Sequence, residues 1–203
     1  VIDNYGSSDS SGGGDEGRAT PEAILEHISQ ETSDAALFPG TMREVWYFAY
    51  DLMMEQATVS RFTKKMHIGK VVSLPHYKLE FAYHFPPQGT SLPTLTRTNN
   101  PDDVVWGFVY DAREKDFSEI ERYLRTPHRY HRSAIQVQDR GGRRMPAFTY
   151  VLTLRDDVYR NPAKSYMDKV IAAGTERKLP KEWLDKLRDW ETEDAETAAQ
   201  AGG

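Results

Sequence analysis

Between Arg122 and Arg144 the chain gathers groups that do chemistry with anions. Arg122, Arg125, Arg129, Arg132, Arg140, Arg143 and Arg144 meet a single acid in that stretch, Asp139, and His128, Tyr130 and His131 are interleaved. Guanidiniums grip phosphate or carboxylate in a fork, and aromatic rings stack on bases. The segment suits an RNA, an acidic protein partner or an anionic small molecule. The alternative is a solvated hairpin paired with the chain's own acids. His128 and His131 titrate near neutrality and can carry protons. They sit in a Pro/Arg loop without a carboxylate at ligand spacing, so they do not form a metal site. Cysteine is absent, which removes disulfides, thiolate ligands and a cysteine nucleophile. No Walker loop, G-x-S-x-G elbow or G-x-G-x-x-G is present. No cofactor and no metal are expected.

The elements that must position these groups belong to one domain of ordinary size with tails, since the chain has 203 residues. The net charge is −5 and 38% of the residues are hydrophobic. The charge divides unevenly. Residues 1–18 balance to −3 and residues 191–203 to −4, which leaves +2 for the body. Residues 1–19 are rich in Gly, Ser and Asp, and read as an acidic disordered tail. Thr20-Pro21-Glu22 is a helix-start signal, so 20–40 reads as a short helical appendage. Residues 191–203 read as a second acidic disordered tail. No apolar run nears the roughly 20 residues of a membrane span, and no apolar stretch follows a basic start. A soluble, intracellular setting without membrane contact is expected.

Residues 41–190 form the body. Val45 to Tyr50 is continuously apolar and aromatic, as in a strand buried on both faces. A short helix is expected over Val59 to Lys65. Strands follow at Val71-Val72, at Tyr77 to Tyr83, and at Ser91 to Thr98 and Val104 to Asp111 around the Asn100-Pro101-Asp102 turn. Asp116 to Leu124 reads as a helix with Phe117, Ile120, Tyr123 and Leu124 inward. Ser133 to Gln138 and Phe148 to Leu154 alternate and join through Gly141-Gly142. Helices are expected at Ala163 to Ala173 and Lys181 to Trp190, on either side of Leu179-Pro180. Strands first and helices late favour an α+β, barrel-like sheet over a doubly wound one.

Several of these segments, in this order, resemble the γ-glutamylcyclotransferase family. Tyr47-Phe48-Ala49-Tyr50 resembles its first strand, and Val71 to Phe81 its second conserved block. Asp103-Val104-Val105-Trp106-Gly107-Phe108-Val109-Tyr110 resembles its "V-W-G-x-x-Y" strand. Pro162-Ala163-Lys164-Ser165-Tyr166, Ala173-Gly174 and Leu179-Pro180-Lys181-Glu182-Trp183-Leu184 resemble its C-terminal block. The resemblance covers Val45 to Trp190. It implies a small mixed β-barrel with flanking helices and a cavity at one mouth. It also implies attack of a substrate's α-amine on its own γ-carbonyl, which releases 5-oxoproline. That reaction needs a general base, which a glutamate supplies in the family, and donors for a carboxylate and an oxyanion, which a Tyr-Gly-Ser-Asn turn supplies.

The chain departs from the family at both places. After Tyr50 it reads Asp51-Leu52-Met53-Met54, so a carboxylate stands where the family binds one. Counted from Trp106, the catalytic glutamate falls on Leu124 and its following glycine on Arg125. Asp51, Glu121, His128 and His131 are therefore the candidates for acid–base work. Tyr50, Leu52, Met53, Met54, Leu124 and Tyr166 are the candidates for lining the cavity, although Tyr166 can equally anchor its helix. Arg122, Arg125, Arg129, Arg132, Arg143 and Arg144 form the candidate basic surface. Three functions remain open. One is a diverged enzyme (lyase, cyclase or isomerase) acting on a nonstandard small molecule. Another is an inactive binding or structural subunit of a larger, RNA- or protein-containing complex. The third is an ordinary γ-glutamylcyclotransferase.

Overall fold

The computed structural model describes residues 45–63, 66, 68–156 and 159–193. The expected N-terminal tail and helical appendage lie outside those residues, as does the C-terminal segment from residue 194.

The apolar runs of the sequence close into a barrel. Its strands are β1 (Val45–Ala49), β2 (Gly69–Pro75), β5 (Val104–Ala112), β6 (Tyr130–Asp139) and β7 (Arg144–Leu152), in the order β1-β5-β2-β6-β7. β1 runs antiparallel to β5 and parallel to β7, where Tyr47 meets Phe148. β3 (Tyr77–Phe85) and β4 (Thr90–Arg97) form a separate two-stranded sheet. Among the described residues, four α-helices flank the sheets: α1 (Gln56–Val59), α2 (Glu114–Leu124), α3 (Lys164–Glu176) and α4 (Lys181–Arg188).

The pairings of β1 and β2 with β5 explain why Val104 to Tyr110 reads so strongly as a strand. β5 is hydrogen-bonded on both edges and packed on both faces, which favours a near-continuous apolar run. Gly107 is required there. A Cβ at this position would lie 2.3 Å from the Ala49 carbonyl oxygen and 2.6 Å from the Phe48 ring. At Gly174 a Cβ would lie 3.0 Å from Leu184 and 3.1 Å from Leu179, so its absence lets α3 and α4 pack closely.

Asp116 starts α2. It accepts the Arg113 main-chain N–H on one oxygen (2.9 Å) and the Thr63 hydroxyl on the other (2.7 Å). Two local expectations fail. The short helix forms at Gln56–Val59, where Asp51 and Glu55 organise the turns, and Phe62 and Thr63 follow it as turn and coil. Tyr123 points outward at 48% exposure, stacked on Phe62 at 4.7 Å. Phe117 and Ile120 are fully buried, and Leu124 completes their stripe at helical spacing, a face that Tyr123 misses.

Candidate active site

β1 delivers the chain to Tyr50 and Asp51, and a 3₁₀ turn over Leu52–Met54 follows at once. Asp51 caps that turn: its Oδ1 accepts the Met53 N–H at 2.9 Å. The turn is held from beneath. The Tyr110 hydroxyl donates to the carbonyls of Met54 (2.7 Å) and Met53 (3.1 Å). Arg177, at the end of α3, donates through Nε to the Met54 carbonyl (2.7 Å) and through Nη2 to Gln56 Oε1 (2.8 Å) and the Tyr110 hydroxyl (3.1 Å). Its guanidinium also lies over the Phe108 ring at 4.5 Å.

Asp51 is half-buried, and no cation pairs with it among the described residues. Burial pushes its carboxyl up to about 6, while the main-chain N–H groups of Met53 and Asp51 itself pull the other way. Tyr47, Tyr50, Tyr130 and Tyr166 all feel this charge. Burial first, and the charge of Asp51 with it, hold all four phenols well above their ordinary range. They are therefore neutral donors. The Tyr50 hydroxyl is bound to the Tyr150 carbonyl at 2.8 Å, and that of Tyr130 to the Pro93 carbonyl at 3.2 Å. The hydroxyls of Tyr47 and Tyr166 have no hydrogen-bond partner among the described residues. The arrangement is a half-buried carboxylate whose charge acts on four buried phenols, two of which have their donors uncommitted.

Of the expected residues, Tyr50 and Tyr166 are buried and feel the Asp51 charge, as do Tyr47 and Tyr130. Leu52 is half-buried beside Asp51, whereas Met53 (3% exposed) and Met54 (0%) fill the core beneath the turn. Leu124 is half-buried and packs on the core at the end of α2. Arg125 follows it in the left-handed conformation (φ 56°), which glycine adopts without strain. The resemblance puts the family's glycine at that position. Glu121 is engaged elsewhere: its Oε1 accepts the Tyr150 hydroxyl at 3.3 Å and forms an ion pair with Arg132 Nε, also at 3.3 Å. His128 is exposed, and His131 Nδ1 lies 3.1 Å from the Thr153 hydroxyl.

The basic segment is largely matched within the chain. Arg132 also pairs with Glu114 and stacks over Phe117 and Phe148; Arg122 pairs with Glu119 and Arg143 with Asp139. Arg140 donates to the Lys178 carbonyl, and Arg129 stacks on Phe85 at 4.0 Å. Among the described residues, no group of three or more His, Asp or Glu side chains is placed to hold a metal ion.

The closed mixed barrel with flanking helices is the α+β fold of γ-glutamylcyclotransferase-like proteins. More particularly, the sequence model of the AIG2-like family matches residues 104–187. Three solved structures share the fold. A human protein crystallised as uncharacterised aligns at a TM-score of 0.66 and 19% identity, over 79% of this chain and 98% of its own. YkqA from Bacillus subtilis aligns at 0.63 and 15% identity, over 82% of this chain and 60% of its own. A protein named gamma-glutamyl cyclotransferase aligns at 0.62 and 20% identity, over 79% of this chain and all (100%) of its own. No curated protein matches the chain in sequence. Among the described residues, no helix is long and apolar enough to cross a membrane.

Proposed function

We propose that this chain is a γ-glutamylcyclotransferase-fold enzyme, a lyase, cyclase or isomerase, acting on a small molecule other than a γ-glutamyl amino acid. Asp51 moves the proton. The observation that carries this reading is the seating of Asp51. It is a half-buried carboxylate with no cation paired to it among the described residues, and its charge acts on four neutral tyrosines. A base that titrates near the working pH is the form general acid–base catalysis favours.

The seating also argues against the ordinary reaction. The Asp51 carboxylate already takes the Met53 N–H, a donor that a substrate carboxylate at this turn would use. A second negative group beside it is repelled. The substrate is then neutral or cationic where it meets Asp51, and it offers that oxygen an acidic C–H, N–H or O–H. The hydroxyls of Tyr47 and Tyr166 suit an oxygen that gains charge as the proton leaves.

The test compares the protein with its Asp51→Asn variant on a cell extract of small molecules, followed by untargeted mass spectrometry. A compound consumed by the parent and spared by the variant, with no 5-oxoproline formed from glutathione or γ-glutamyl amino acids, is the expected result. Release of 5-oxoproline by both proteins alike restores the ordinary reaction. Identical extracts after either treatment leave a non-catalytic subunit.

A further inference from the structure

The barrel is closed unevenly, and the weak seam carries an inference independent of the Asp51 site. β6 pairs with β7 continuously from Tyr130↔Leu152 to Gln138↔Arg144. On its other edge it pairs with β2 only at Val72↔Asp139 and Ser73↔Gln138. The direction of the main-chain groups along β6 follows from the hairpin. The Asp139 N–H donates to the Arg143 carbonyl, so Asp139 faces β7, and alternate residues face the other way. Gln138 obeys this: its carbonyl accepts the Ser73 hydroxyl of β2. Gln136 obeys it too. It stands opposite Pro146, which has no N–H to give, so this is a pair without ladder bonds. The N–H and C=O of Gln136 and Ala134 therefore point towards β2, beyond the last pair that β2 makes with β6.

A cleft of about 410 Å³ opens there, lined by Pro75, His76, Tyr77 and Arg97 on one side and Ala134, Ile135, Gln136, Gln138 and Arg144 on the other. Three successive residues of one strand line it although their side chains alternate in direction, so the cleft runs along the strand's edge. Among the described residues, no acidic side chain lines it. Arg97 and Arg144 are exposed, and neither forms an ion pair among the described residues.

The geometry points to a strand-addition site on β6 for an extended acidic peptide segment of another protein. Its main chain pairs with Gln136 and Ala134, and its carboxylates meet Arg97 and Arg144. Main-chain bonds of this kind give affinity, and the flanking charges select the sequence. An open edge would otherwise be a liability, and cations at its rim discourage indiscriminate pairing.

The probe is a capped hexapeptide of alternating glutamate and valine, added to the full ¹⁵N-labelled chain. Amide NMR and hydrogen exchange are the readouts. In the free chain the amides of Ala134 and Gln136 exchange quickly, and the peptide slows both. Binding weakens at least about tenfold in the Arg97→Ser/Arg144→Ser double variant and falls with added salt. It disappears when alternate peptide nitrogens are methylated. The thermal midpoint of the double variant matches the parent, which separates lost binding from lost folding. Amides already protected in the free chain overturn the proposal, because the edge is then covered by the chain's own segments. Equal binding of glutarate, or of the lysine–valine hexapeptide, overturns it as well, because the site is then a simple anion cleft or a nonspecific edge.

Discussion

Two carboxylates are tied to Tyr47 in different ways. Asp51 bears on the Tyr47 phenol by its charge. Glu121 is linked through Tyr150, whose ring meets that of Tyr47 at 5.8 Å and whose hydroxyl donates to Glu121. The groups are chemically alike, and their surroundings make them different. Glu121 is met by Arg132, which also holds Glu114 and lies between two aromatic rings. Its charge is balanced, and its task is to fix α2 against β6 and β7. Among the described residues, Asp51 has main-chain N–H donors but no cation. A carboxylate in that state is costly to keep charged, which is what an exchangeable proton requires.

The sharpest way to break this contrast is to remove each acid in turn. Asp51→Asn should lower turnover by roughly 10²–10⁴-fold, while Glu121→Gln should keep it within a few-fold, as read by steady-state rates on the compound that the extract comparison identifies. The reverse order would make Glu121 the base. Gly107→Ala forces β1 away from β5 just before the Asp51 turn. It should cost about 2–3 kcal/mol in denaturant unfolding, as overpacking in cores does.

The third prediction concerns pH. The folded chain holds the Asp51 proton more tightly than the unfolded chain, so the stability this group contributes is fully present below about pH 4. It is lost as pH rises through about 6. Asp51→Asn keeps an acceptor for the Met53 N–H, so it should gain about 2 kcal/mol at pH 8 and nothing near pH 4. Unfolding curves at the two pH values check this, and turnover by the parent should rise with an inflection near 6. The smallest effect expected is from Tyr166→Phe: a loss of about tenfold in turnover, equivalent to about 1.4 kcal/mol, with little change in stability.

The barrel was legible because its strands announce themselves. Val104 to Tyr110 is apolar on both faces for the reason the structure gives, pairing on both edges. The site was half legible. Tyr50, Asp51 and Tyr166 stand out against the family pattern, whereas Tyr130 reads as one more residue of the arginine-rich stretch and Tyr47 as core. Arg177 carries no local signal at all, since its meaning lies in Met54, 123 residues away. The arginine-rich stretch misleads for a related reason. Counting charges along Arg122 to Arg144 omits Glu114 and Glu119, which precede it, and Lys178, which is remote in the chain. Tyr123 was misplaced because it is only one position from the Phe117–Ile120–Leu124 stripe, and a half-buried partner, Phe62, was enough to satisfy its ring.

The long span between Arg177 and Met54 also sets an order of events during synthesis. The turn that presents Asp51 leaves the ribosome early, but two of its fastenings arrive late: Tyr110 on β5, then Arg177 at the end of α3. A nascent chain therefore carries Asp51 long before it can hold that residue's turn in place. A polypeptide that stops short of α3 would contain Tyr47, Tyr50 and Tyr130, and still lack the guanidinium that ties Met54, Gln56 and Tyr110 together.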